Sequence, residues 1–326
     1  MLTSILVPID GSVFAEHAVP AATELARRTA AKLHIVRVHQ PPILPSPDAP
    51  VIVDAHWLDE IRAEEEAYLE SIARRVRERS GLEIATALID GFPADAIAGY
   101  ARDHAVGLIV MTTHGRGGIS RFWLGSVADG VVRHSRTPVL LLHPRSDDVD
   151  WERGLQLRHV LVPQDGSDLA RSVVQPAIAL GALAGARYTL MRVTLPLPPM
   201  GRATAMSAHA LGEEALAEAR GRDEASLAAT AEPLRRQGYS VDTVVVSHPT
   251  PPNAILEFAA TNAVDLIALA TRGRSGWTRV ALGSVADKVM RGSTIPVLLY
   301  RPAAPVVEKR HENGRSFGRR LVGVDL

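Results

Sequence analysis

The sequence predicts an α/β protein made of two Rossmann-like, doubly wound domains, each built on a five-stranded parallel sheet. Three observations carry this expectation. First, the chain repeats itself: Ile5-Leu-Val-Pro-Ile-Asp-Gly-Ser12 returns as Val160-Leu-Val-Pro-Gln-Asp-Gly-Ser167, 155 positions on. Gly115-Arg-Gly-Gly118 and Leu124-Gly-Ser-Val-Ala-Asp129 return as Gly273-Arg-Ser-Gly276 and Leu282-Gly-Ser-Val-Ala-Asp287, 158 positions on, so a three-residue loop insertion lies between the blocks. Second, within each copy short apolar runs alternate with segments of helical spacing, which demands parallel strands joined by right-handed crossovers. Third, the 326 residues are 46% hydrophobic, with 36 Lys+Arg against 36 Asp+Glu, enough chain and apolar surface for two cores.

Taken in order, residues 2–9 read as a strand ending in Asp-Gly-Ser, and the Ala-rich stretch 14–31 as a helix. A strand at 33–38, a Pro-rich loop at 40–50, a charged helix at 58–79, a strand at 82–89 and a helix at 94–104 follow. Residues 108–112 form the fourth strand, 126–135 the last helix and 138–142 the fifth strand. The second copy places strands near 159–164, 187–193, 240–246, 265–270 and 296–300. The domains expected are therefore 1–143 and 159–302, with a linker at 144–158 and a mobile tail at 303–326.

Composition excludes several roles. With no Cys, neither a disulfide framework nor a thiolate metal site can form. Balanced charge argues against nucleic-acid binding through counterion release. No apolar run approaches the roughly 20 residues that cross a bilayer, and the first ten residues lack a basic region followed by an unbroken apolar one. We expect a cytoplasmic protein that binds neither nucleic acid nor membrane.

In an open parallel sheet, ligands bind at the carboxyl ends of the strands, where the strand order reverses. Asp10 and Asp165 end the first strand of each copy; such a carboxylate can hold a ribose hydroxyl or an adenine amino group, or it can cap the following helix together with Ser12 or Ser167. The fourth strands run into Thr112-Thr-His-Gly-Arg-Gly-Gly118 and Ala270-Thr-Arg-Gly-Arg-Ser-Gly276, glycine turns whose bare backbone amides suit phosphate, with Arg116 and Arg274 beside them. Further on, Gly125-Ser126 and Gly283-Ser284 each open a helix, whose free amides and dipole favour an anion. Ser126 followed by Asp129, and Ser284 by Asp287, equally describe a capping box. Neither a P-loop nor a G-x-G-x-x-G dinucleotide turn is present.

These residues resemble the universal stress protein family in its tandem form, from residue 1 to about 302. Its nucleotide-binding members carry G-x2-G-x9-G-[ST] after the fourth strand and an Asp after the first. Here the second Gly, the nine-residue gap and Gly-Ser match in both copies, while Thr112 and Ala270 stand where the first Gly belongs. The resemblance implies that Pro8, Ile9, Asp10 and the backbone of Val38 hold adenosine, with Asp165 and Val193 their equivalents. It implies that Met111, Thr112, Gly115, Arg116, Gly125, Ser126 and Val127 surround the phosphates in one copy, and Ala270, Gly273, Arg274, Gly283, Ser284 and Val285 in the other. The implied cofactor is ATP, or AMP or ADP, with Mg2+ accompanying a triphosphate.

No general base for hydrolysis stands out: His114 sits in a glycine turn, and His134 and His143 lack ligand spacing. We therefore expect nucleotide binding with at most slow hydrolysis, in a stress-response sensor or regulator acting on an unknown protein partner. A nucleotide-free tandem scaffold is the alternative. A third class, an adenylating or pyrophosphatase enzyme, lacks its Ser-Gly-Gly turn here. The apolar fifth strands, Val139-Leu-Leu-Leu142 and Val297-Leu-Leu-Tyr300, need cover at the sheet edge. Single-domain relatives dimerise through this strand, so the two copies are expected to pair about a pseudo-two-fold axis, with a homodimer of the whole chain also open.

Overall fold

The computed structural model describes residues 2–40, 55–113, 124–144, 148–152, 154–196, 205–271 and 283–302, with the backbone alone for 55 and 205–216. The first copy runs β1 (Ser4–Pro8), α1 (Val13–Glu16), α2 (Ala18–Thr29), β2 (Lys32–His39), α3 (Ala55–Ser80), β3 (Ile84–Asp90), α4 (Pro93–Asp103), β4 (Leu108–Thr112), α5 (Ser126–His134) and β5 (Val139–Leu142). The second runs β6 (His159–Pro163), α6 (Asp168–Ser172), α7 (Val174–Gly181), a 3₁₀ turn, β7 (Arg187–Thr194), α8 (Ala205–Arg236), β8 (Val241–Ser247), α9 (Pro251–Thr261), β9 (Leu266–Ala270), α10 (Ser284–Gly292) and β10 (Val297–Tyr300).

Each predicted strand is present, with ends moved by two residues at most. The expected helix at 14–31 is instead two helices, α1 and α2, which meet at His17. Pro20, in the first turn of α2, has no N–H to bond back to Glu16, so one continuous helix would lose a rung there. The same break recurs at Val173, three residues before Pro176. The expected loop at 40–50, beyond its first residue, and the tail at 303–326 lie outside the described residues.

All ten strands form one sheet in the order β3-β2-β1-β4-β5-β10-β9-β6-β7-β8, a palindrome of the two copies. Pairing is parallel within each copy. At the centre β5 and β10 run antiparallel, with Val139, Leu140 and Leu141 opposite Leu299, Leu298 and Val297. The expected pairing of fifth strands is thus realised within the chain, and the apolar edges disappear into the sheet's middle.

Two cores cover the sheet, and both span the two copies. On one face α2, α3, α7 and α8 bury Val19, Leu25, Leu69, Ile72, Ile178 and Leu227 with the central Leu140 and Leu298. On the other, α4, α5, α9 and α10 bury Ile97, Val131, Ile255 and Val289 with Leu141 and Val297. The connecting segment packs back on the first copy: Trp151 lies under the Arg75 guanidinium at 4.8 Å, and Leu157 is buried. Among the described residues no helix is long and apolar enough to cross a membrane.

Candidate functional site

Strand order reverses between β1 and β4 and again between β6 and β9, so each copy has one switch point. Ile9 donates its N–H to Val36 O at 2.8 Å, and Gln164 its N–H to Met191 O at 2.7 Å, holding the chain alongside the neighbouring strand past the end of the ladder. The register, continued two residues, sets Asp10 level with Val38 and Asp165 level with Val193. Pro8 and Ile9 are buried beneath, Val38 is half-buried and Met111 lies in the buried part of β4.

Asp10 takes the second of its two expected roles, as a brace for the helix cap. Its Oδ1 accepts from the Ser12 N–H at 2.9 Å and the Ser12 hydroxyl at 2.6 Å, while Ser12 Oγ accepts from the Ala15 N–H at 3.2 Å as the N-cap of α1. Asp165, Ser167 and Ala170 repeat the relay at 2.9, 2.5 and 3.1 Å. Ser is therefore the cap, and Asp braces the cap from outside the helix. Gly11 and Gly166 sit between them with φ of 85° and 83°, a left-handed turn that a side chain would strain.

At the other side of each switch point, β4 ends in buried Thr112 and Thr113. Thr113 donates its N–H to Leu142 O at 3.0 Å, and its carbonyl accepts the Gly125 N–H at 2.7 Å. One residue thereby ties the end of β4, the end of β5 and the start of α5 together. Sequence reasoning passed over Thr113; its recurrence as buried Thr271, bonded to Tyr300 O at 2.8 Å, is the signal that finds it. Gly125 and Gly283 are the N-cap residues of α5 and α10, and neither helix has a side-chain cap. The capping box is not formed: Asp129 turns to Arg133 at 2.7 and 3.0 Å, and Asp287 to Arg291 at 3.0 Å. Ser126 and Ser284 are exposed in the first turn, with Val127 and Val285 half-buried behind them, and Ala270 half-buried at the end of β9. Gly115, Arg116, Gly273, Arg274 and His114 lie outside the described residues.

The copies differ beneath β2 and β7. In the first, Arg37 pairs with Glu65 at 2.8 Å, and His39 contacts the other Glu65 oxygen at 2.7 Å. Tyr68, below the Arg37 guanidinium, donates to Glu16 at 2.9 Å; burial, then that hydrogen bond, pushes its phenol above the usual tyrosine range. In the second, Arg192 pairs with Asp223 at 3.1 Å. Arg192 stands 155 positions after Arg37 and Asp223 stands 158 after Glu65, which puts the three-residue insertion between Arg192 on β7 and Asp223 on α8.

The sequence model of the universal stress protein family matches twice, at residues 1–143 and 156–301. A universal stress protein of Bacillus subtilis is 33% identical over 147 residues, covering 44% of this chain and 99% of that protein. One from Mycolicibacterium smegmatis is 25% identical over 307 residues, covering 91% of this chain and 97% of that protein. The crystal structure of a universal stress protein from Archaeoglobus fulgidus superimposes with a TM-score of 0.67 at 22% identity, covering 93% of this chain and 97% of that one, a likeness of fold.

Proposed function

The chain belongs to the universal stress protein family, in tandem form, and from that premise we propose that it binds adenine nucleotide, ATP foremost, as a cytoplasmic stress-response sensor or regulator. The observation that carries this reading is the pair of helix starts at Gly125 and Gly283. Each opens at a switch point on a glycine N-cap that supplies no side-chain cap, while the acidic residue of its first turn is drawn away by an arginine. The positive amino end of a helix that its own N-cap side chain does not close favours phosphate oxygens. Asp10 and Asp165, level with Val38 and Val193, supply carboxylates at the adenosine end of each cleft. Mg2+ would accompany a triphosphate.

Hydrolysis needs a base that positions water. Asp129 and Asp287, in the first turns of α5 and α10, are each held by an arginine, which supports binding with turnover far below the enzyme median of roughly 10 per second. The second reading, a nucleotide-free scaffold for a protein partner, draws on Thr112, whose buried side chain stands where the family motif has glycine. Calorimetric titration with ATP and AMP, with mass spectrometry of nucleotide carried through purification, separates the two. Binding at micromolar ATP with one or two nucleotides per chain supports the first; two empty clefts at millimolar ATP leave the scaffold.

A further inference from the structure

Among the described residues, large hydrophobic side chains stand exposed at four positions, Val13, Trp57, Phe92 and Leu195. All four lie at the carboxyl ends of strands: Val13 begins α1 after β1, Trp57 is in the first turn of α3 after β2, Phe92 follows β3 and Leu195 follows β7. Three of them therefore rim the first copy's cleft. Apolar side chains scattered over a surface are ordinary, whereas several gathered on one rim mark a place of contact.

Phe92 is the most exposed of the four, at 82%, and its position serves the fold least. It is the N-cap residue of α4, where a short polar side chain is favoured because it can accept from the first amides, and Phe92 makes no such bond. In the second copy the N-cap of α9 is Thr250, and Asp168 begins α6 as Val13 begins α1. Neither packing nor capping accounts for an aromatic ring at position 92.

The topology sets that ring at the base end of the first cleft. Strand order runs β4-β1-β2-β3 outward through the switch point. A nucleotide with its phosphates at the start of α5, beside β4, and its ribose at Asp10, after β1, carries its base toward the ends of β2 and β3, each strand about 4.8 Å from the next. Val38 on β2 is paired with Ile89 on β3, and Phe92 comes three residues after Ile89. The face of the sheet is the same one: Val38, Val127 and Ala94, which lies two residues beyond Phe92, all pack against the core under α4 and α5. Ala94 meets α5 directly, its side chain 2.5 Å from where a Cβ on Gly130 would stand.

A purine presents a polar edge and two flat faces that suit an aromatic ring. The backbone of Val38 is placed for the edge. Resting on the nucleotide reading above, we propose that Phe92 is a base-stacking residue of the first cleft, its ring lying against a face of the adenine, and that the second cleft, with Thr250 at this position, holds its nucleotide without that contact. A phenyl ring has no hydrogen bond to offer, so Phe92 adds affinity for a base without choosing among bases.

Calorimetry of the full chain with ATP and with inorganic tripolyphosphate, which has no base, tests this. Phe92→Thr should weaken ATP at one class of site by about tenfold or more, the worth of one base stacked on one ring, and leave tripolyphosphate unchanged. Phe92→Trp, which keeps a ring, should bind ATP as the wild type does or more tightly. Because Phe92 is exposed and Thr suits an N-cap, the urea midpoint of Phe92→Thr should equal or exceed that of the wild type. ATP bound equally by the wild type and Phe92→Thr overturns the proposal and leaves the nucleotide reading standing. A parallel loss of tripolyphosphate, or a lowered urea midpoint, makes Phe92 a structural residue and overturns it as well. A wild-type chain that ignores ATP at millimolar concentration removes the nucleotide reading and this proposal together.

Discussion

Each half buries a histidine toward the amino-terminal ends of its strands, and the copies place it on different strands. In the first copy His34 on β2 meets the Tyr100 hydroxyl at 3.0 Å, while Ser4 on β1 donates to Ala105 O; in the second His159 stands at the Ser4 position and Thr189 at the His34 position. Burial lowers the pKa of His34, helped by His104 and Lys32, and burial lowers that of His159 against the pull of the Asn262 carbonyl. A lowered pKa means that the unfolded chain takes the proton first, so this stability is whole above the ordinary imidazole pKa of about 6.5 and is lost as pH falls from there toward the folded-state values. Denaturation midpoints between about pH 5 and about pH 8 should fall on the acid side, and the slope should flatten in the His34→Gln, His159→Gln double variant. Nothing in the sequence marked these residues, because a histidine inside an apolar strand reads only as an interruption. Asp10 and Asp165 were legible, since the Asp-Gly-Ser turn is local chemistry; the repeat also aligned Gln164 with Ile9, but only the fold shows that this amide is buried.

Elements were legible wherever the apolar pattern and a turn agreed. β4 matches its predicted bounds because Leu108 to Thr112 is a continuous run between a Gly and the glycine turn. The division of α1 from α2 escaped, since helical spacing continues through His17 and only the missing proline amide breaks the ladder. The capping box escaped for a related reason: Asp129 has two partners within reach, and the arginine one turn on offers charge as well as hydrogen bonds. α5 also depends on a close approach that no pattern announces. A Cβ on Gly130 would stand 2.5 Å from the Ala94 side chain of α4, so the two helices meet through bare backbone. Gly130→Ala should push α5 away and cost about 1–3 kcal/mol, read by urea denaturation. Because the same shift moves Gly125 and Ser126, the variant should also weaken any ATP affinity measured for the first copy.

At the scale of the molecule, the two copies announced by the repeat join through their fifth strands, as expected, into one sheet with shared cores. Leu140 and Leu298 are fully buried where the copies meet, each against residues of both halves. Heating should therefore give one calorimetric transition, and Leu298→Ala should lower stability by about 2–5 kcal/mol without splitting it. Two separated transitions would make the halves independent. The antiparallel seam has one more effect. Since β1 and β4 point one way and β6 and β9 the other, the clefts at their tips open on opposite rims of the sheet, back to back. No single flat surface can cover both mouths, so under the proposed function a partner that reads one cleft would have to ignore the other or wrap the molecule.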